Sequence, residues 1–134
     1  MSTAALTFGE AAAGVRDVIA AYSQALDDGR IEDVVATFCP DGAVELPGAG
    51  RAAGHDAIRS LYSRITPGPP ARHVVVNVHV TEWSGDRAEA VSDLIVIARG
   101  RPAWAVQLVG RYHDALHLTD GTWRFHARSL EFAE

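Results

Sequence analysis

The chain contains no lysine; all 12 of its basic residues are arginine. That excludes Schiff-base chemistry on a lysine amine. Its single cysteine, Cys39, allows neither an intramolecular disulfide nor a metal centre built from several cysteines. A reducing cytoplasm is the expected setting. No run approaches the ~18 apolar residues of a membrane span, and no basic segment followed by an apolar stretch opens the chain, so neither a membrane helix nor a signal peptide is expected. Basic charge is also short. The net charge is −5, which argues against nucleic acid and anionic membranes as partners. A glycine-rich phosphate loop, a nucleophile elbow and an internal repeat are all lacking.

What is present is 134 residues, 48% hydrophobic and 22% charged, enough for one domain over 1–134 with a real core. Residues 1–6 read as a loose tail. Thr7-Phe8-Gly9-Glu10 fits a capping box, and Val15, Val18, Ile19, Tyr22 and Leu26 then recur at helical spacing until Asp28-Gly29 stops the helix. Ile31, Val34, Val35 and Phe38 give the stripe of a second short helix, ended by Pro40-Asp41-Gly42. A strand over Ala43–Leu46 and a turn over Pro47–Gly50 follow. A third helix spans Asp56–Ile65 and is broken by Pro67-Gly68-Pro69-Pro70. Strands are predicted over 72–83, 87–98, 103–118 and 122–132, joined by Ser84-Gly85-Asp86, Arg99-Gly100-Arg101-Pro102 and Thr119-Asp120-Gly121. These are hairpin signals, so the sheet should be antiparallel. Helices first and long hairpin strands afterwards indicate an α+β domain.

The strand Arg72-His73-Val74-Val75-Val76-Asn77-Val78-His79-Val80 carries the most functional information. Alternation places Val74, Val76, Val78 and Val80 on one face and His73, Val75, Asn77 and His79 on the other. The second face either meets water or lines a cavity. On the long strand, Gln107, Val109, Arg111 and His113 share one face, and Val106, Leu108, Gly110 and Tyr112 the other. The latter is the expected apolar face for a partner subunit. His113 with His117, four apart, and His73 with His79, six apart, match no metal-ligand signature, so no metal is expected.

The stretch from Tyr22 through Asp27 and Phe38 to Glu45 resembles the opening of the nuclear-transport-factor-2-like superfamily, with its SnoaL-like group the nearest. Gly54-His55-Asp56-Ala57-Ile58, the Arg72-His73 strand start and Asp120-Gly121-Thr122-Trp123-Arg124-Phe125 resemble it as well, so the likeness covers roughly residues 10–132. It implies a cone-shaped curved antiparallel sheet wrapped around about three N-terminal helices, an apolar pocket, and a homodimer formed through the outer sheet face. Dehydratases of this superfamily carry an aspartate at the end of the first helix and a histidine at the start of a central strand. Asp27 and His73 match these positions, and Tyr22 matches a phenolic proton donor. The resemblance thus implies a cofactor-independent lyase or isomerase acting on a small apolar oxygenated metabolite; the rivals are a polyketide or terpenoid cyclase and a non-catalytic binding module. The chain departs from the ketosteroid isomerase pattern, with Leu46 at the base position and His113 near the second acid. The second histidine of scytalone dehydratase is replaced near Gln107.

In this reading His73 takes a proton, Asp27 holds its ring, and Tyr22 assists the leaving group. Asn77, Gln107, His113 and Arg111 are candidate substrate contacts. Each also has a plain structural reading. His73 and Asn77 can be hydrogen-bonded strand residues, Tyr22 can be core, and Arg111 and His113 can belong to a solvated face. On an ideal helix Tyr22 and Asp27 lie about 140° apart, so both reach one cavity only if the helix unwinds at its end.

Overall fold

A computed structural model describes residues 5–133. Most of the tail expected over 1–6 therefore lies outside the described residues. The first helix, α1 (Phe8–Asp27), begins as its capping box requires. Glu10 N–H donates to the Thr7 hydroxyl at 3.1 Å, and the Glu10 carboxylate accepts the Thr7 N–H at 3.0 Å. Ala11, Val15, Ile19, Tyr22 and Ala25 form its buried face. Mid-helix Gly14 is explained by a close approach: a Cβ there would lie 2.5 Å from Trp123 Cδ1. The contact offsets the helix penalty of about 1 kcal/mol for glycine over alanine.

After α1 come α2 (Ile31–Ala36), β1 (Phe38–Leu46), β2 (Gly50–Ala53), α3 (His55–Ile65), β3 (Ala71–Ser84), β4 (Arg87–Arg99), β5 (Trp104–Thr119) and β6 (Thr122–Phe132). The six strands form one curled, unclosed sheet in the order β2-β1-β6-β5-β4-β3. Pairing is antiparallel throughout except between β1 and β6, which run parallel. Helix α1 lies against β3 and β6, and α3 against β1 and β2. This is the α+β architecture expected, with one parallel pair the hairpin signals did not reveal.

Two local expectations are corrected. Phe38 does not finish the second helix. It opens β1, because its fully buried ring belongs opposite Phe125 of β6 and the Phe125 N–H donates to Thr37 O at 2.8 Å. Pro40-Asp41-Gly42 then stays within β1 as a register irregularity between Phe38 and Ala43. Gly50 begins the short strand β2 instead of ending a turn, because Ala52 has a buried place opposite Val44. By contrast, Asp120-Gly121 turns the β5–β6 hairpin as read, with φ of 52° and 78°, values that aspartate and glycine tolerate best.

Strict alternation fails on β3, β5 and β6 as well, each time at a bulge. On β3, Val76 pairs with Asp93 but His79 with Val91, so Asn77 and Val78 face Ser92 alone. Asn77 absorbs the kink with φ 53°, a conformation asparagine accepts more readily than valine. His73 and Val75 before the kink, and Val78 and Val80 after it, are on the half-buried or buried side; Val74, Val76, Asn77 and His79 are exposed. On β5 the register slips at Gln107, and on β6 at His126. The slip at His126 turns Arg128 inward beside Trp123 and Phe125.

The narrow interior of the curl is filled. Tyr22, Tyr62, Tyr112, Phe38 and Phe125 meet there edge to face. Gly110 and Tyr112 of β5 are buried in this core, so the apolar side of β5 is the concave one and not the partner face expected for it. The Arg128 guanidinium lies 3.5 Å from the Tyr112 ring centre and 4.2 Å from that of Tyr22. Its Nε is 3.1 Å from Asp114 Oδ1, with both side chains wholly inaccessible. The alignment is not that of a hydrogen bond, and the remaining guanidinium nitrogens have no partner among the described residues. Charge and ring faces hold this arginine in place. Burial pushes the Asp114 carboxyl up to about 6, against the pull of the neighbouring guanidinium.

Candidate active site

Asp27 is the last residue of α1. A carboxylate there opposes the negative end of the helix dipole, so something must compensate it. The start of β3 does so. The His73 backbone N–H donates to both carboxylate oxygens, at 3.1 and 3.2 Å, and the His73 ring donates from Nδ1 to Oδ1 at 2.6 Å. The Asp27 side chain is 8% exposed and that of His73 21%, so the pair is shielded but reachable. Because an ionised carboxylate only accepts hydrogen bonds, Nδ1 carries the ring proton and Nε2 is left as the basic nitrogen. The arrangement fixes both the orientation and the tautomer of the imidazole.

An opening of about 500 Å³ lies at this end of the curl. Leu26, Ile65, Val96 and Leu108 supply apolar wall, the 66–70 segment forms a rim, and Asp27, His73 and Gln107 supply polar groups. The segment Pro67-Gly68-Pro69-Pro70 reads in the sequence only as a helix breaker. Its position between α3 and the strand carrying His73 is the signal that could have marked it as a rim. A second groove of about 420 Å³, between α1 and β3, passes His73 on its other side and is bordered by Arg16, Gln24 and Val75.

The structure thus brings together Asp27, His73 and Gln107, the last through the β5 bulge. It does not bring Tyr22 to them. Helix α1 stays helical through Asp27, so the angular separation between the two residues persists. The Tyr22 hydroxyl lies 2.5 Å from the Tyr62 hydroxyl inside the core. Burial, reinforced by Tyr62, raises the Tyr22 phenol well above its ordinary range, so it stays protonated. Asn77 borders the second groove, but its amide donates to Asp93 Oδ2 at 2.9 Å. Arg111 Nε donates to Asp93 Oδ1, also at 2.9 Å. These hydrogen bonds, that from Asn77 first, hold the Asp93 carboxyl below its usual value. His113 pairs with Glu131 at 2.9 Å and borders a separate groove with Glu45, Arg51 and Glu89. Bulge and alternation together place Asn77, Arg111 and His113 on the convex side, away from the dyad.

Solved structures place this arrangement among known folds. A protein of unknown function from Mycobacterium tuberculosis is 25% identical, with a TM-score of 0.83 over 90% of this chain and 70% of that one. A Catenulispora acidiphila protein in complex with S-DNPA is 27% identical, with a TM-score of 0.77 over 90% and 91%. A Novosphingobium aromaticivorans protein provisionally called a scytalone dehydratase is 24% identical, with a TM-score of 0.78 over 90% and 83%, and shows likeness of fold alone. No curated protein matches the chain in sequence. The model of the SnoaL-like domain matches residues 9–129, which spans every element from α1 nearly to the end of β6, and by that match the chain belongs to the SnoaL-like family.

Proposed function

We propose that the protein is a cofactor-independent lyase or isomerase that removes a proton from a small, mostly apolar oxygenated compound. Elimination of water is the specific reaction. The observation that carries this reading is the 2.6 Å contact between Asp27 Oδ1 and His73 Nδ1 at the edge of a largely apolar opening. His73 Nε2 takes a proton from the carbon next to a carbonyl. The imidazolium so formed is balanced by Asp27 and returns that proton from Nε2 to the hydroxyl on the adjacent carbon, so the C–O bond breaks with loss of water and neutral His73 is restored. Gln107, which borders the same opening, holds the substrate oxygen in this reading. Tyr22, locked onto Tyr62, has no direct part in this version. The fold typically binds small molecules, and the relative in complex with S-DNPA is consistent with such an occupant. A cytoplasmic location belongs to the same proposal; among the described residues, no helix is long and apolar enough to cross a membrane.

The test uses a panel of β-hydroxy ketones with alicyclic or aromatic bodies, incubated in D2O. At least one member should gain deuterium at the α-carbon and lose water, both dependent on His73. A panel untouched by the intact protein, or exchanged equally well by His73→Ala, overturns the proposal.

A homodimer through the convex sheet face is also proposed. Val74, Val76 and Val109 are each more than a third exposed there, and Val74 and Val109 flank Ile95 across three strands. Such a continuous apolar strip favours cover. Sedimentation velocity should give twice the chain mass, and Val109→Glu should give the monomer. A wild-type monomer at high micromolar concentration rules the dimer out.

A further inference from the structure

We propose that Cys39, His117 and His126 form a binding site for a divalent ion of the zinc type, separate from the opening held by Asp27 and His73. The three residues come from β1, β5 and β6, and one ligand atom from each lies within 4.8 Å of the other two. The His117 and His126 rings stack at 4.1 Å with planes 11° apart.

The sheet order, which sets β6 between β1 and β5, and alternation along β5 and β6 bring the three together. In β6 the pairing passes from Phe125–Leu116 to Ala127–Ala115 and leaves His126 without an opposite residue. Alternation from Phe125 keeps His126 on the same side as Arg124, which pairs with His117, and the bulge leaves it free of a cross-strand neighbour. In β1 the irregular stretch between Phe38 and Ala43 begins with Cys39, whose side of the strand faces the same bulge. Bulges recur where a strand re-aims a side chain. Here the irregular stretch of β1 begins at the thiol, and the bulge of β6 lies at one of the imidazoles.

The donor set suits the ion. Thiolate and imidazole are the usual ligands of zinc, with bonds of about 2.3 and 2.0 Å. Tetrahedral ligation at those lengths sets ligand atoms roughly 3.5 Å apart, so the observed spacing needs a closure of about an ångström. His126 Nδ1 is inaccessible to solvent and has no hydrogen-bond partner. The Cys39 thiol finds only a long contact of 3.8 Å to Arg124 O. Both are polar atoms a cation would satisfy. Cys39 is buried while the two imidazoles are half-buried, so one side of the site remains open to an arriving ion. No fourth His, Cys, Asp or Glu among the described residues joins the cluster, which leaves a corner for water or an exogenous ligand. Such an ion would tie β1 to the β5–β6 hairpin.

The reduced full-length chain is titrated with Co²⁺ alone and then with Zn²⁺ alone. Cobalt should give an intense thiolate charge-transfer band at one equivalent, and zinc should remove it. Cys39→Ser should abolish the band with the circular dichroism unchanged, and His126→Ala should weaken zinc binding at least tenfold. His113→Ala, which alters an exposed histidine outside the cluster, should leave the band intact. X-ray absorption on the zinc-loaded wild-type chain gives a check that needs no variant: one sulfur and two imidazole nitrogens are expected. Absence of the band, its survival in Cys39→Ser, or a zinc shell without sulfur overturns the site.

Discussion

Asp27→Asn should lower turnover by roughly 10⁴-fold, the scale seen when a histidine base is forced into the wrong tautomer. The hydrogen-bond donors around the ring set this outcome. In the native chain the carboxylate accepts from Nδ1 and from the His73 backbone N–H, which leaves Nε2 able to take a proton. An asparagine keeps its oxygen for the backbone and presents an amide donor to Nδ1. The ring must then accept at Nδ1 and carry its proton on Nε2, where it cannot act as a base. Folding should survive, since the shape is unchanged and only one charge-assisted hydrogen bond is lost, about 2 kcal/mol. His73→Ala should abolish turnover outright. The measurement is kcat on whichever panel ketone exchanges deuterium, alongside urea denaturation. Full activity in Asp27→Asn removes the dyad; loss of activity together with loss of fold turns Asp27 into a structural residue.

The largest effect on stability is expected at Arg128. Arg128→Met leaves Asp114 buried without its cation, and breaking a buried ion pair from one side costs about 3–5 kcal/mol. The pH dependence has a definite sign. Burial raises the Asp114 carboxyl to about 6 in the folded chain, above its unfolded value, so the folded state binds that proton more tightly. The stabilisation this supplies is complete below about pH 4 and is lost as pH rises through about 6. Without the guanidinium the folded value climbs further, so Arg128→Met should lose most stability near pH 8 and markedly less near pH 5. Replacing both partners, Arg128→Met with Asp114→Leu, should recover most of the loss, because well-packed apolar groups substitute for a buried pair at little net cost. Equal destabilisation at both pH values, or no recovery in the double variant, contradicts this account.

Much of the architecture was legible because it depends on local signals. The capping box, the Asp120-Gly121 turn and the apolar stripe of α1 act within a few residues, and each appears where periodicity and turn chemistry put it. The pairing of Asp27 with His73 was legible only through family resemblance, since 46 residues separate them and nothing local joins them. Legibility fails where the period of two fails. Counting by twos from Trp123 and Phe125 sends Ala127 inward and Arg128 outward; the bulge at His126 reverses both. The same counting put Asn77 beside His73, and the kink at Asn77 itself undid it. The Cys39, His117 and His126 cluster was invisible for another reason. Its members have no motif spacing and meet only because the sheet order sets β6 between β1 and β5. Tyr22 differs: its helical spacing holds, but the unbroken end of α1 keeps it from the dyad.

The strand β3 ends the sheet on one side, and among the described residues its outer edge has no neighbouring strand. A valine-rich edge of that kind is a template on which other chains can add and build fibrils. Two features already described blunt it. Asp27 occupies the free N–H of His73, and the kink at Asn77 breaks the row halfway along. Any variant that releases that N–H or straightens the kink therefore threatens solubility as well as chemistry, and the carboxylate proposed to hold the imidazole doubles as a guard against aggregation.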